Sequence, residues 1–384
     1  MRREVTIWLL ALSLTAVAGD SFRGKLPMLS DDSLSGKSPV LSGDSLLVEQ
    51  PEKEGWLKRL IVSFSEQDTA WVEPQHYNWA LMLQSIMTYD YYKLSAGNQS
   101  VSFSPRLDIR MGPYFGWRWI FLGYTLDLRK LNIFKKSPRF EIDGSIYSAR
   151  FGADVFYRRT VNDYMIRSVE MENGIDTGPL EGMSFDGLKV SITGISLYYI
   201  FNHKRFSYPA AFAQSSCQKI SCGSWMAGLG YLSNSIDFDY ERLESMARER
   251  LGQEVQIDSA MNFGSVKYRD ISASVGYAYN WVFARNWLFC SSLSLALAYK
   301  KSYSAMEQER AHGFSFSNFN IDGIGRFGLV WNNTKWYAGA SAIVRAYNYH
   351  KSRFAANNIF GDLSVYVGLN FGTRKEFKRK LGKR

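Results

Sequence analysis

The chain has 384 residues, a formal net charge of +10 and a mean hydropathy of -0.22, and 15% of its residues are aromatic. This length suits two average soluble domains or one large barrel, and the 23 tyrosines favour the barrel. Beyond the N-terminus no run of roughly 18 apolar residues occurs, which excludes helical membrane spans.

The N-terminus has the parts of a secretory signal peptide. Arg2 and Arg3 precede an apolar run from Val5 to Leu14, and small residues end at Ala18. The run is too short for a transmembrane anchor. We therefore predict that residues 1–18 are removed on export and that the protein resides in the outer membrane of a Gram-negative bacterium. Export also removes nucleic acid as a partner.

Residues 19–75 are predicted to form a flexible periplasmic segment. Their first part is rich in Ser, Asp, Gly and Pro and has no hydrophobic period. The stretch "EKEGWLKRLIVSFSE" then places Trp56, Leu60 and Phe64 on one helical face. This spacing predicts a short amphipathic helix near residues 53–66.

From residue 76 to 372 the hydrophobic period changes to two. The stretches "VSFSPRLDIRMG" and "ISASVGYAYNWVF" alternate apolar with polar or small residues, and aromatic residues mark the segment ends. Such dyads in series predict an all-β fold, a transmembrane antiparallel β-barrel of about 12 strands, with a range of roughly 10–14. A soluble exported β-sandwich is the alternative fold.

The connections between the predicted strands alternate in length, as they do in outer-membrane barrels. Short ones such as "WNNTKW" and "ARNW" are assigned to the periplasm, and long ones such as "KSYSAMEQERAHG" to the outside. The alternation holds only if residues 202–224, which contain Pro209 and two cysteines, form an inserted non-strand segment. Both termini are then periplasmic.

The polar faces of the predicted strands carry charges of both signs, which we assign to the lumen. Charges on adjacent strands are expected to pair. Two interpretations stay open: a structural ion-pair network that fills the barrel, or a charged constriction that orients a passing solute. The predicted lumen charge network consists of Arg106, Asp108, Arg110, Asp127, Glu141, Asp143, Arg150, Asp154, Arg158, Asp322 and Arg326.

Signals for catalysis and metal binding are weak. His312 and Ser315 would point to opposite faces of a strand, which argues against a phospholipase-like barrel, kept here as the enzymatic alternative. The four histidines are not clustered, so neither a metal nor a cofactor is expected. Cys217 and Cys222 are spaced to close a small disulfide loop in an oxidising periplasm, or to remain reduced.

The C-terminal segment, residues 373–384, is strongly basic. It holds seven of the lysines and arginines and one glutamate, so it accounts for six of the ten net positive charges (7 − 1 = 6). A solvated tail and a contact with anionic lipid or cell-wall polymer are both consistent with this composition.

Several stretches resemble an uncharacterised family of Bacteroides-type outer-membrane proteins, a domain of unknown function. They are "DTAWVEPQHYNWALMLQ", "SFSPRLDIRMGPYFGWRWIFLGYTLDL", "YRRTVNDYMIR" and "FNHKRFSYPAAFAQSS", within residues 52–372. The resemblance implies an outer-membrane barrel and carries no catalytic residues. Ser33, Ser45 and Thr69, each preceded by Asp, look like O-glycosylation acceptors of such bacteria.

Together these features predict a non-enzymatic barrel that serves as a narrow channel or as a structural or assembly component. Its expected partners are outer-membrane lipid, lipopolysaccharide and the barrel assembly machinery.

Overall fold

The computed structural model describes residues 67–117, 120–123, 126–127, 139–171, 175–252, 258, 264–303, 319–351, 354–374 and 377–378. The predicted signal peptide, the helix near residues 53–66, Ser33, Ser45, His312 and most of the basic tail lie outside this part of the chain. The side chains of Asp108, Asp127 and Asp143 also lie outside it, although their backbones belong to strands.

The described chain is almost entirely antiparallel β-structure, and 16 strands belong to one sheet. The strands are β1 Val72–Pro74, β2 Tyr77–Ala96, β3 Gln99–Pro105, β4 Asp108–Trp117, β5 Ile120–Gly123, β6 Leu126–Asp127, β7 Arg139–Tyr147, β8 Phe151–Val161, β9 Tyr164–Glu170, β10 Ser184–Phe185, β11 Leu188–Ile200, β12 Ser216–Gln218, β13 Cys222–Phe238, β14 Ser265–Ala284, β15 Trp287–Tyr303, β16 Phe319–Asn332, β17 Trp336–Lys351 and β18 Phe354–Thr373. The helices are α1 Tyr208–Phe212 and α2 Tyr240–Leu251, with a 3-10 turn at Gly178–Leu180.

In the described residues the sheet curls into a transmembrane barrel with twelve strand positions, if consecutive strands that continue one another are counted once. This number agrees with the one predicted from the dyads. In ring order the positions are β2, β3 with β4, β5 with β6, β7, β8, β11, β13, β14, β15, β16, β17 and β18. β18 pairs with β2 along almost its whole length, from Phe354↔Ala96 to Thr373↔Tyr77. Between β6 and β7 lie residues 128–138, outside the described part.

The outer wall of the barrel is apolar. The most exposed side chains include Ile271 (68%), Leu229 (66%) and Ile321 (63%), which alternate with buried or small residues along their strands. On β14 the apolar positions run from Ile271 to Phe283, a rise of roughly 40 Å along the strand. With the usual strand tilt this length spans a bilayer core. No helix in the described residues is long and apolar enough to cross a membrane.

The two ends of the barrel differ. Connections at one end, the short-turn end, are tight turns such as Arg285–Asn286, except for residues 201–221 between β11 and β13. These residues do not cross the membrane; they form α1 and β12, and we call them the plug. Ser207 caps α1 by accepting a hydrogen bond from the backbone N–H of Ala210, with Pro209 in the first turn.

The opposite, long-loop end extends beyond the apolar wall because β2, β14 and β18 each have 20 residues. β9, β10 and α2 cover this end, and the interior there is filled by an apolar cluster that we call the outer core. Its largest fully buried members are Tyr92, Phe103, Phe156, Tyr164, Phe185, Phe238, Tyr268 and Phe360.

The stretch "VSFSPRLDIRMG" is not one uniform strand, and the prediction that its whole apolar face meets lipid is wrong. Leu107 and Met111 are exposed, but Val101 and Phe103 are 1% and 0% exposed and belong to the outer core. The register explains this difference. Four residues, 104–107, lie opposite only three residues of β2, 89–91. The one extra residue shifts the side-chain alternation, so the residue parity that faces inward in β3 faces outward in β4.

The lipid-facing wall should tolerate charge in a depth-dependent manner. Leu293 lies opposite Tyr277, midway along the apolar stretch of β14 and β15, and Leu293→Arg is expected to lower the free energy of unfolding by about 2–4 kcal/mol. Ile271→Arg, at the edge of the same stretch, should cost about 0–1 kcal/mol. Reversible denaturant unfolding in phospholipid vesicles measures both variants, and equal costs would contradict the lipid-facing assignment.

Candidate functional site

The barrel interior is crossed by an ion pair between Asp154 of β8 and Arg326 of β16. These strands are five places apart in the ring of twelve, so the pair joins opposite walls rather than neighbouring strands. Both residues are buried, at 2% and 3% exposure. Ser145 Oγ donates a second hydrogen bond to Asp154 over 2.6 Å. The pair therefore occupies the axis of the barrel.

A second cross-lumen contact lies further toward the long-loop end. Arg158 of β8 donates to Asp362 Oδ1 of β18 over 2.5 Å, and Arg345 of β17 lies 3.9 Å from Asp362 Oδ2. One carboxylate is thus shared by two guanidinium groups. Both guanidinium groups also lie over the Phe360 ring, at 5.0 and 5.7 Å from its centroid. These cation–π contacts join the charged layer to the outer core.

Lys300 is the centre of a third buried cluster. Its Nζ donates to Asp322 Oδ1 over 2.8 Å and lies 3.8 Å from Asp270 Oδ2. Asp270, on β14, is the direct cross-strand neighbour of Lys300 on β15. The backbone N–H of Asn348 also donates to Asp322, over 3.1 Å. A fully buried ammonium with two carboxylates and aromatic neighbours is a packed structural arrangement rather than a solvent-lined one.

Two glycines in the strands make room for rings in the charged layer. A Cβ on Gly152 would lie 2.1 Å from the Tyr198 ring, and one on Gly194 would lie 2.2 Å from Phe156. Tyr198 stacks on Arg326 at 5.2 Å and Phe156 on Arg345 at 4.8 Å. The glycines therefore allow each guanidinium group an aromatic neighbour inside the barrel.

The remaining predicted network residues are distributed differently. Arg110 of β4 pairs with Glu141 of β7. Arg150 lies in the turn before β8, where its guanidinium is 3.2 Å from His203 Nε2 of the plug. Arg106 does not enter the lumen: it lies in the extra segment between β3 and β4 and is exposed.

Sequence reasoning missed Lys300, Asp270 and Asp362, which carry the interior clusters together with the predicted residues. Asp362 alternates with apolar residues along its strand, but neither residue parity nor composition identifies its partners. Pairing was expected between adjacent strands, whereas Asp154–Arg326 and Arg158–Asp362 cross the lumen. Such contacts depend on ring closure, which a single strand does not encode.

The plug is bonded to the interior through polar side chains. Tyr208 hydroxyl donates to Ser292 Oγ over 3.0 Å, and Arg326 donates to Tyr208 over 3.4 Å. Gln214 Nε2 donates to the Tyr366 hydroxyl over 2.7 Å, and Asn280 Nδ2 donates to the Ser207 carbonyl over 2.8 Å. Tyr208 thus connects the plug directly to the cross-lumen ion pair.

The described residues around the Asp154–Arg326 pair enclose a small cavity. A cavity of about 40 Å³ adjoins Arg326, Asp322 and small residues of β11, β13, β14 and β15. A buried water needs roughly 10–15 Å³ of such volume, so a few waters fit there. Among the described residues, no group of three His, Cys, Asp or Glu is arranged to hold a metal ion.

Of the two alternatives left open for Cys217 and Cys222, the structure has the reduced one: both are free thiols, as is Cys290. Cys217 lies in β12 and Cys222 opens β13, where its Sγ is 3.2 Å from the Arg205 carbonyl. Burial raises the pKa of Cys217 to about 12, which makes this thiol a poor nucleophile at neutral pH. Thr69, the described member of the predicted glycosylation set, is exposed in a turn.

The chain belongs to the DUF4421 family, a domain of unknown function, whose family profile matches residues 66–371. A search of curated proteins finds no match.

The chain is similar at low identity to several solved outer-membrane proteins. OprG of Pseudomonas aeruginosa is 9% identical, with 78% of this chain and 99% of that one covered and a TM-score of 0.22. The translocator domain of autotransporter NalP from Neisseria meningitidis is 11% identical, with 77% and 89% covered and a TM-score of 0.26. The toluene transporter TodX of P. putida is 9% identical, with 77% and 91% covered and a TM-score of 0.21.

The number of reactive thiols per chain tests whether Cys217 and Cys222 are both reduced. Denatured protein prepared without reductant should react with a thiol reagent at all three cysteines, because the structure contains no disulfide between Cys217 and Cys222. A count of one thiol per chain would contradict this arrangement, and protein reduced before denaturation serves as the control.

Removal of one partner of a buried ion pair should be costly. Arg326→Ala leaves the Asp154 carboxylate buried without its cation, and we expect unfolding to require about 3–5 kcal/mol less free energy. Arg106→Ala, which removes an exposed guanidinium, should change stability by no more than about 0.5 kcal/mol. Denaturant unfolding in detergent micelles measures the free energy of unfolding of both variants. Similar losses would contradict the assignment of Arg326 to a buried ion pair and of Arg106 to the exposed surface.

Proposed function

We propose that this DUF4421 member is an outer-membrane β-barrel with a closed interior that serves as a structural or assembly component rather than as a channel. The observation that carries the proposal is the pair of ion contacts that join β8 to β16 and to β18 through the barrel axis. In the described part of the chain, these side chains meet across the lumen and occupy the space between β8 and the strands β16 and β18.

Three layers in series support a closed interior. The outer core fills the long-loop end, the ion pairs fill the middle, and the plug with Tyr208 fills the short-turn end. Twelve strands lie between the eight-stranded barrels, which side chains can fill, and the sixteen-stranded ones, which hold water. The aromatic stacking on Arg326, Arg345 and Arg158 enables large side chains to fill this intermediate width.

The proposal includes a location and an orientation. The N-terminal signal-like sequence, the apolar outer wall and the short turns support export to the outer membrane, with the short-turn end and both described chain ends on the periplasmic side. The resemblance of the sequence stretches favours a Bacteroidetes-type bacterium. Lipid, lipopolysaccharide and the barrel assembly machinery are the partners that such a location supplies, and the basic tail would face periplasmic lipid or cell-wall polymer.

We also propose that the barrel is not an enzyme. In the described part of the chain, His76 lies 3.2 Å from Glu73 and His203 contacts Arg150, whereas Ser207 Oγ hydrogen-bonds to Ser216 Oγ. These partners are structural ones. Lipid hydrolysis by the purified protein that is lost in His312→Ala would support the phospholipase-like alternative instead.

A closed interior predicts that the protein conducts no ions across a membrane. Refolded wild-type protein in a planar bilayer is expected to show no steady conductance steps, because the proposed closed interior would leave no continuous aqueous path. Insertion is verified separately by heat-modifiable gel mobility and by protease protection in vesicles prepared in parallel. An open porin measured under the same conditions calibrates detection.

Steady ohmic steps from the wild-type protein would contradict the proposal. Steps that change with Arg326→Ala but not with Arg106→Ala would instead establish the charged-constriction interpretation, because only Arg326 lies on the barrel axis.

A further inference from the structure

We propose that the outer wall near the long-loop end carries a binding site for the phosphate groups of an outer-leaflet glycolipid. The site, which we call the basic belt, lies on strands β8 to β15 just beyond the apolar wall. Its exposed cations are Arg159 of β8, Lys189 of β11, Lys267 and Arg269 of β14, and Lys301 of β15.

The strand register places the belt next to the apolar wall. The last apolar row across the outer face consists of the cross-strand neighbours Val155, Ile195, Tyr231, Ile271, Tyr299 and Phe319. Tyrosines in this row stand where aromatic belts meet lipid headgroups. The belt begins in the next outward-facing row, so its cations lie just beyond the apolar wall, on the side where the headgroups are.

The first row of the belt combines cations with hydroxyls. Arg269 is the direct cross-strand neighbour of Lys301 on one side and of Ser233 on the other, and Ser233 is opposite Thr193. Tyr157 ends this row on β8. Two adjacent cations next to two small hydroxyl side chains form a surface rich in donors.

The second row repeats the combination from the other direction. Arg159 is opposite Ser191, Ser191 is opposite Ser235, and Ser235 is opposite Lys267. Lys189 stands one row further out, opposite the acidic residue Asp237. Among the described residues of these rows, the belt thus holds five cations and one anion next to four small hydroxyl residues, Ser191, Thr193, Ser233 and Ser235.

This composition selects phosphate on a lipid as the occupant. Lysine and arginine at membrane-surface depth attract anionic headgroups, and serine and threonine hydroxyls donate to the same oxygens. The opposite side of the barrel differs at the same end: its exposed outward residues include Asn348, His350 and Asn357, and the cation beside Asn357, Lys93, is paired with the Glu170 carboxylate at 3.3 Å. A diffuse attraction to anionic lipid would not need this asymmetry.

The inference rests on the proposed outer-membrane location, because the long-loop end must face the outer leaflet. It concerns the outer wall, so an open or closed lumen does not decide it.

The folded full-length protein in detergent is titrated with bisphosphorylated lipid A, and bound lipid is counted by native mass spectrometry. Each exposed cation contributes about fivefold to lipid affinity, so Lys267→Gln/Arg269→Gln/Lys301→Gln is expected to weaken binding about a hundredfold.

A matched control removes the same number of charges at the other end. Lys204, Arg285 and Lys335 are exposed at the short-turn end, and their replacement by Gln should leave lipid A affinity within about twofold of wild type. Lipid A stripped of both phosphates should bind the wild type as weakly as the phosphorylated lipid binds the belt variant. Heat-modifiable mobility verifies that both variants are folded.

Three results would overturn the proposal: unchanged affinity in the belt variant, an equal loss in the control variant, or competition by inorganic phosphate at the concentration of the lipid. The last result would assign the cations to free phosphate rather than to a glycolipid. Conductance stays silent in each of these cases if the closed-barrel function is right, so the two proposals fail separately.

Discussion

The ion pairs that cross the barrel axis are the interaction on which the interior depends. Transfer of a carboxylate and a guanidinium from water into a packed interior costs several kcal/mol per ion, and only close pairing with further hydrogen bonds offsets that cost. Asp154 and Arg326 meet this requirement from opposite walls, with Ser145 and Tyr208 as additional partners. Because opposite walls supply the partners, the charges are satisfied only when the ring has closed in its native register.

The remaining interior is arranged around these charges. Gly152 and Gly194 leave space for the rings that stack on Arg326 and Arg345, and the plug presents Tyr208 to the same guanidinium from the short-turn end. Toward the long-loop end the Phe360 ring belongs both to the charged layer and to the outer core. The outer surface is independent of this arrangement, since its apolar wall and the basic belt follow from the other residue parity of the same strands.

The strand dyads predicted the number of strand positions and the lipid-facing side. They could do so because every strand alternates apolar residues that face lipid with polar or small residues that face the lumen, and this alternation is visible in each strand by itself. The stretch at Val101 and Phe103 was misassigned because one extra residue between β3 and β4 inverts the faces, and its composition continues the alternation without interruption. Arg106 lies in that extra segment and is therefore exposed. Lys300 was missed because its neighbours Tyr299 and Lys301 made it appear as the end of a strand, whereas its partner Asp270 comes from the pairing with β14.

A double-mutant cycle between Asp154 and Arg326 tests the cross-lumen contact most directly. Asp154→Asn, Arg326→Gln and the double variant are unfolded in the same micelles as the wild type, and the coupling free energy is the departure from additivity. Residues in a shared buried ion pair are expected to couple by about 1–3 kcal/mol. Additivity within about 0.5 kcal/mol is the result for residues on separate, non-contacting walls, and it would contradict a barrel closed through its axis.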